Sequence, residues 1–219
     1  MSESSPSKSR RNPERTRERL LQAAFDEVHR SGFRGTDLDS ILGVAGVTKG
    51  ALYHHFDSKE ALGYAVVDEL IAGSMLTKWL VPLQSAEDPI VALTGLVESE
   101  PITPRDIALG CPLNNLSQEM SPLDEGFRKR LAKVFNAWHD GITAALRKGQ
   151  KRGLVRGDIR PGDVAWYFIA TYEGYVSLAK TSREVQVWKV GKAMLKQYLA
   201  SLRPSDGQAR RPIDALDPD

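Results

Sequence analysis

The apolar residues of this chain recur at helical spacing over most of its length. Leu21, Ala24, Phe25 and Val28 lie three or four positions apart, and the same period continues in later segments. The sequence contains no strand-length run of strict apolar and polar alternation bounded by hairpin turns. The pattern therefore predicts an all-α protein with about nine helices.

Capping residues and prolines set the predicted helix ends. Thr36 and Thr48 are expected to cap two short helices, and Ser58 or Asp57 is expected to cap the helix that follows. Pro82 is expected to end or break that helix. The predicted helices span residues 13–31, 37–44, 48–55, 59 onward, 89–99 (followed by breaks at Pro101 and Pro104), a short stretch after Pro112, 122–152, 162–181 and 184–202.

Residues 36–62 have the layout of two short helices joined by a tight turn. Gly46 supplies the permissive backbone that such a turn needs. Ile41, Val47 and Leu52 are expected to pack between the two helices. A helix-turn-helix of this kind leaves one face of its second helix exposed. The residues expected on that face are Thr48, Lys49, Gly50, Tyr53 and His54.

The residue types on this face suit DNA. Thr48 offers a hydroxyl to a phosphate, and Lys49 offers a charge to a phosphate or a donor to guanine. Gly50 lets the backbone come close, while Tyr53 and His54 provide rings and donors for phosphates or base edges. From the spacing alone, a helical hairpin in an unrelated bundle is an equal alternative.

The segment resembles the DNA-binding domain of the TetR family of bacterial transcriptional regulators. The likeness covers about residues 17–66 without gaps. The matching features are Gly32-Phe33, Thr36, Ile41, Ala45-Gly46-Val47-Thr48, Lys49-Gly50, Leu52-Tyr53, His55-Phe56, Lys59-Glu60 and Leu62.

This resemblance implies roles for individual residues. Thr36 and Lys59 would hold phosphates on either side of the second helix, and Phe56 would anchor that helix in the core. The implied DNA-contacting residues are Thr36, Thr48, Lys49, Gly50, Tyr53, His54, His55 and Lys59. The implied organisation is a helix-turn-helix domain over 14–60 and a ligand-binding and dimerisation domain over 61–203, which pairs through its last two helices.

The resemblance also implies a function. The chain would be a ligand-responsive regulator, most simply a repressor that binds a palindromic operator as a homodimer and is released by a small-molecule effector. It implies no enzymatic activity, no metal and no cofactor. Two alternatives are an effector-independent or activating DNA-binding protein and a small helical enzyme. Against the enzyme, the four histidines match no catalytic spacing.

An effector pocket is expected between the helices of the larger domain. The residues predicted to line it, each of which is otherwise ordinary core, are Trp79, Cys111, Asn115, Met120, Phe127, Trp138, Trp166, Phe168 and Tyr172. The segment from Gly110 to Leu116 resembles one found in a subset of TetR-type regulators. Cys111 would begin a helix there, where a thiolate is favoured. It is then either a sensor of electrophiles or oxidants or a small buried residue.

Composition narrows the possible kinds of site, the segments expected to be folded and the expected location of the protein. The chain has 219 residues and a net charge of +2, from 30 basic and 28 acidic side chains. One cysteine excludes an internal disulfide framework and a multi-cysteine zinc site. The basic segment 1–13 and the proline-containing segment 204–219 are predicted to be disordered. The first of these is either an arm that reaches DNA or a solvated tail. Without a secretory or membrane-length apolar run, the expected location is the cytoplasm.

Charge is unevenly distributed along the chain. Residues 60–123 hold two basic side chains and nine acidic ones, whereas residues 124–160 hold ten basic and four acidic ones. The basic stretch is expected to form solvated helix faces that pair with the acidic one. A second nucleic-acid surface is the alternative.

Overall fold

The computed structural model describes residues 13–101 and 103–204. Regular structure in these ranges is entirely helical, which confirms the predicted all-α class. The chain divides into two compact units, the first ending at Leu70 and the second beginning at Ile71. The sequence placed this boundary after residue 60. The predicted disordered segments lie outside the described residues, apart from Pro13 and Pro204.

From residue 13 onward, the part of the first unit that the structure describes contains four α-helices. They are α1 (Pro13–Gly35), α2 (Leu38–Ala45), α3 (Lys49–His55) and α4 (Lys59–Ala65), and a π-helical segment Val66–Ile71 follows α4. Helix α1 contacts each of the other three. Its kink lies at Gly32, where φ is 77° and ψ is 165°, so this glycine interrupts the helix near its predicted end. The core of this unit includes Leu20, Leu21, Ala24, Ile41, Leu52, Phe56, Leu62 and Val66.

Two predicted caps of this unit have different outcomes. Ser58 accepts a hydrogen bond from the Ala61 backbone N–H at 3.0 Å and caps α4 as predicted. Thr36 does not cap α2, whose first turn follows Asp37. The Thr36 hydroxyl instead donates a hydrogen bond to the Gly32 carbonyl oxygen at 2.6 Å, and the Thr36 side chain is buried. The predicted cap at Thr36 is therefore wrong, because the kinked end of α1 already takes this hydroxyl.

In the second unit, the described residues 71–101 and 103–204 form eight α-helical segments. They are α5 (Ala72–Met75), α6 (Val81–Ser85), α7 (Pro89–Ser99), α8 (Pro104–Leu109), α9 (Pro112–Met120), α10 (Glu125–Lys151), α11 (Pro161–Ser182) and α12 (Val185–Ser201), with a π-helical segment Leu76–Leu80 between α5 and α6. In the part of the chain described, no helix is long and apolar enough to cross a membrane.

The π-helical segment explains an unusual spacing. Ile71, Met75, Trp79 and Leu83 are all buried, yet they lie four positions apart throughout. A regular α-helix of 3.6 residues per turn would rotate such a series away from the core. A π-helical stretch has more residues per turn, which keeps the series on one face. Pro82 does not end the helical stretch, because it lies in the first turn of α6, where its missing N–H costs little.

Helix α10 is the central element of the second unit. It contacts α6, α7, α9 and α11. The predicted apolar stripe is buried throughout, with Phe127, Leu131, Val134, Trp138, Ile142 and Ala145 facing inward. The helix begins at Glu125 rather than after Pro122, because the Asp124 carboxylate accepts a hydrogen bond from the Phe127 N–H at 2.8 Å.

Helix α8 was not predicted, since Pro101 and Pro104 indicated only a break. Pro104 is the first residue of this helix, a position that proline tolerates. Thr103 and Asp106 form a capping box ahead of it, in which each side chain bonds the other's backbone N–H.

Candidate functional site

The turn between α2 and α3 depends on Gly46. This residue has a left-handed conformation, with φ 61° and ψ 43°, and ends α2. Its N–H donates to the Gly43 carbonyl oxygen at 3.3 Å, and the Val47 N–H donates to that of Leu42 at 3.2 Å. These bonds satisfy the last carbonyl groups of α2 while the chain reverses. The structure thus has the glycine turn that the sequence predicted.

Helix α3 is held at both ends and on one face. Thr48 accepts a hydrogen bond from the Ala51 N–H at 3.3 Å, as predicted for its cap. The Leu52 side chain is fully buried, and its carbonyl oxygen accepts from the Phe56 N–H at 2.9 Å. Phe56 is buried, as the family resemblance implied. The remaining face of α3 is consequently free to meet another molecule.

Five predicted DNA-contacting residues lie together on that free face. Thr48, Lys49, Gly50, Tyr53 and His54 are exposed, and 46% of the Tyr53 surface is accessible. In the described residues, nothing lies within 4 Å of the position that a Gly50 side chain would take. The seven-residue helix therefore presents a hydroxyl, an ammonium group and two rings beside an open backbone.

The remaining three predicted contacts differ from this group. His55 is half-buried, and its ring lies 5.1 Å from that of His54. The Lys59 ammonium group donates to the Thr36 carbonyl oxygen at 2.6 Å and lies 4.8 Å from the centre of the Phe33 ring. Because Thr36 is buried with its hydroxyl already bonded, the structure does not present that hydroxyl to DNA. We therefore remove Thr36 from the candidate interface.

An ion pair connects α1 to the π-helical segment that follows α4, close to the end of α3. The Arg17 guanidinium group in α1 donates to both carboxylate oxygens of Glu69, at 2.7 and 2.5 Å. The same guanidinium lies 5.2 Å from the centre of the Phe56 ring, where α3 ends. Hydrogen bonding to Arg17 lowers the pKa of Glu69 below its usual value. Sequence reasoning missed this pair, because the two residues are 52 positions apart.

In the second unit, four of the predicted ligand-contacting residues form an aromatic cluster with Trp188. The four are Trp79, Trp138, Phe168 and Tyr172. The Tyr172 ring is central, since its centroid lies 5.2 Å from Trp79, 5.6 Å from Trp138 and 5.2 Å from Trp188. All five rings are buried.

Four predicted ligand contacts lie elsewhere. Trp166 is 45% exposed, and its ring stacks on that of His139 with 4.3 Å between the ring centroids. The structure therefore does not place Trp166 in the aromatic cluster around Tyr172. Its position on α11 turns it outward, where sequence periodicity alone suggested core. Met120 and Phe127 are buried. The Asn115 amide donates to the Leu109 carbonyl oxygen at 2.7 Å and accepts from Lys180 at 2.9 Å, joining the α8–α9 turn to α11.

Cys111 occupies the position before α9 that the sequence predicted, but its thiol is not activated there. The Cys111 residue is half-buried, and loss of hydration at its thiol together with the neighbouring Glu173 carboxyl group raises the pKa of Cys111 well above its usual value. Loss of hydration destabilises the thiolate form of Cys111 by more than the positive end of the helix dipole stabilises it. The expectation of a favoured thiolate at this helix start is therefore wrong.

Two buried acids beside Tyr172 were missed by sequence reasoning. Glu100 follows α7, and one of its carboxylate oxygens accepts from the Lys78 ammonium group at 2.8 Å. Glu173 in α11 is only 6% exposed, and among the described residues neither of its carboxyl oxygens has a hydrogen-bond partner at ordinary donor–acceptor distance, although the Cys111 thiol lies close enough to interact with it. Burial raises its pKa to about 7, with Glu100 adding to the rise. The sequence feature that could have identified Glu173 is its position, since it is an acidic residue between Tyr172 and Gly174 in a mostly apolar helix.

Comparison with known proteins decides the family. Residues 20–66 match the family described as bacterial regulatory proteins, tetR family, and residues 99–194 match the tetracyclin repressor-like C-terminal domain. The HTH-type transcriptional repressor NemR of Escherichia coli (strain K12) is 30% identical over 192 residues, which cover 85% of this chain and 94% of NemR. The chain belongs to the TetR family.

Further relatives of the TetR family match this chain over about three quarters of its length or more. The HTH-type transcriptional repressor DhaR of Mycobacterium sp. (strain GP1) is 26% identical over 174 residues, covering 76% of this chain and 83% of DhaR. The crystal structure of reduced E. coli NemR superposes with a TM-score of 0.74 at 28% identity, covering 83% of this chain and 95% of that one. The crystal structure of a TetR transcriptional regulator from Chloroflexus aurantiacus J-10-FL superposes with a TM-score of 0.76 at 27% identity. The match covers 86% of this chain and 96% of that one.

Membership of the TetR family gives the first unit its role. The chain is a DNA-binding transcriptional regulator whose helix-turn-helix consists of α2 and α3. The likeness of the segment from Gly110 to Leu116 to one subset of the family stays a prediction.

The glycine turn of this TetR-family protein generates a testable expectation. Gly46→Ala should destabilise the α2–α3 pair by about 1–2 kcal/mol, because a side chain is unfavourable in the left-handed conformation. The added carbon would also lie 2.7 Å from a guanidinium nitrogen of Arg19, which would have to move. Amide hydrogen exchange in α2 and α3 of the full chain should accelerate accordingly.

The matched control is Gly43→Ala in α2. Within the described residues nothing lies within 4 Å of the added carbon, so alanine should stabilise the helix by about 0.5–1 kcal/mol and slow exchange. Equal exchange rates in the two variants would contradict the assigned role of Gly46.

Proposed function

We propose that this protein is a repressor that binds a palindromic operator as a homodimer and leaves it when a small-molecule effector binds. The observation that carries the proposal is the short α3 helix, fixed by Gly46, Thr48 and Leu52 and exposed on one face. The relatives NemR and DhaR are both transcriptional repressors, which supports repression over activation.

In this proposal α3 enters the major groove. Gly50 allows the backbone to approach DNA, and Lys49 and Tyr53 reach phosphates or base edges. His54 lies on the same face, with His55 at its edge. Lys59 keeps two ammonium donors beyond the one that holds the Thr36 carbonyl oxygen, so it serves as a flanking phosphate contact. Such a regulator acts on bacterial DNA in the cytoplasm.

An exposed apolar face supports dimerisation through α11 and α12. On α11, Tyr167 and Leu178 are 51% and 60% exposed, and on α12 Val190 and Met194 are also exposed. Gly174 lies between the two α11 residues, and among the residues described nothing approaches the place of its missing side chain. Several exposed apolar side chains on two packed helices are typical of a protein interface. We propose that two copies of α11 and α12 form a four-helix interface.

Binding of the effector is assigned to the second unit. The buried aromatic cluster around Tyr172 offers the apolar surroundings that small-molecule sites have. An effector that binds the released conformation better than the DNA-bound one would shift the population away from the operator.

Tyr53→Ala tests the DNA-reading face. The variant should bind an operator, selected from random duplexes with the wild-type protein, about 10- to 100-fold more weakly than wild type, because one base or phosphate contact is worth about 1–3 kcal/mol. An electrophoretic shift assay at one fixed salt concentration measures the change. Gln22→Ala, an exposed change in α1, serves as the control and should leave affinity unchanged. Wild-type affinity for Tyr53→Ala would refute the assignment of α3 as the reading helix.

Leu178→Asp tests the proposed dimer. A charge in an apolar interface should convert the dimer to a monomer without changing its helical content, as measured by analytical ultracentrifugation and circular dichroism. Leu123→Asp introduces the same change at a leucine that is 56% exposed outside α11 and α12, and should leave the dimer intact. A dimeric Leu178→Asp variant would place the interface elsewhere.

A further inference from the structure

The unpaired polar atoms of the second unit are concentrated around one side chain. Within the described residues, buried side-chain nitrogen and oxygen atoms without a hydrogen-bond partner occur in Glu100, Trp138, Thr143 and Glu173. Three of these four residues interact with Tyr172, by ring contact for Trp138 and electrostatically for the two glutamates. Buried polar atoms of folded proteins are nearly always paired, so such a concentration calls for a partner that completes it.

Tyr172 divides this region into an apolar side and an acidic side. The centroid of its ring lies 5.2–5.6 Å from the ring centroids of Trp79, Trp138 and Trp188, and each of the three pairs is T-shaped. Glu100, Cys111 and Glu173 are close enough to the phenol to raise its pKa, together with burial, well above the usual value. A molecule bound along Tyr172 would therefore meet aromatic rings at one end and carboxyl groups at the other.

The cations near the acidic side already have partners. Lys78 pairs with one Glu100 oxygen. Lys192 in α12 donates to the backbone carbonyl oxygens of Glu98 and Glu100 at 3.0 and 2.5 Å, and Lys180 donates to Asn115. In the ranges that the structure describes, no cation lies within ion-pair distance of Glu173.

We propose that the effector of this regulator is an organic amine, whose cationic group binds the Glu173 carboxylate while its flat apolar part packs on the rings of Tyr172, Trp79 and Trp138. The inference rests on the proposed function, since it names the chemical class of the effector. An ammonium group supplies the donors that both Glu173 oxygens need, and it also fits the negative faces of the aromatic rings. A hydrogen-bond acceptor elsewhere on the ligand would satisfy the Trp138 indole N–H.

The groups that face Glu173 make such binding depend on pH. They are Cys111 at the start of α9, Glu100 at the end of α7 with its Lys78 and Lys192 neighbours, and Tyr172 on the same helix. The pKa of Glu173, raised to about 7, means that a proton competes with the amine in the neutral range. Amine binding should approach its full strength about one unit above pH 7 and should weaken as the pH falls through 7, because protonated Glu173 cannot pair with a cation.

The test compares 2-phenylethylamine with 2-phenylethanol, a neutral molecule of almost the same shape, by isothermal titration of the full-length protein. At pH 8 the amine should bind at least tenfold more tightly than the alcohol. Between pH 8 and pH 6 the affinity for the amine should fall about tenfold, while that for the alcohol stays constant. These two measurements use the wild-type protein and so do not depend on a variant that folds.

Glu173→Gln keeps the shape of the side chain and removes its charge, so it should abolish both the preference for the amine and its pH dependence. Glu184→Gln, an exposed change just before α12, should retain both. Equal binding of amine and alcohol, binding of neither, or an unchanged preference in Glu173→Gln would overturn the proposal. Operator binding by the same wild-type preparation separates the two ideas, because intact DNA binding with no amine preference removes only this inference.

Discussion

The DNA-binding unit depends on one constraint, which is that its reading helix is too short to be stable alone. Isolated helices below about 12 residues are marginal in water, and α3 has seven. It must also leave one face free, so the opposite face and the two ends supply all of its support. Thr48 caps the start, Leu52 fills the core, and Gly46 turns the chain so that α3 packs on α1 and α2. Everything proposed about DNA recognition relies on these few contacts.

The second unit follows a different principle. Its long helix α10 buries an almost continuous apolar stripe and organises the helices around it. Against this background the Glu173 carboxyl group is costly, since a buried acid without a partner loses its hydration and gains nothing in return. Among the described residues, the core of this unit is mainly apolar, and its buried carboxyl groups lie beside Tyr172. That contrast separates a region that maintains the structure from one that is suited to bind a ligand.

Local signals were predicted well from sequence, and pairings between distant segments were not. The α10 stripe, the Gly46 turn and the Thr48 cap all depend on residues within a few positions of one another. Thr36 was misjudged because a kink at Gly32, four residues earlier, takes its hydroxyl. Trp166 was misjudged because periodicity does not show which of two apolar faces of α11 is covered. Glu100 after α7 and Cys111 before α9 lie beside Glu173 only in the tertiary structure, because both are distant from it in sequence.

The central claim is that two copies of this chain read DNA through two copies of α3. Hydroxyl-radical footprinting of the full-length protein on its selected operator tests it most directly. The account predicts two protected regions related by two-fold symmetry, with centres about 10 base pairs or a multiple of that apart, because each half-site faces one reading helix. A single asymmetric protected region at saturating protein would contradict it.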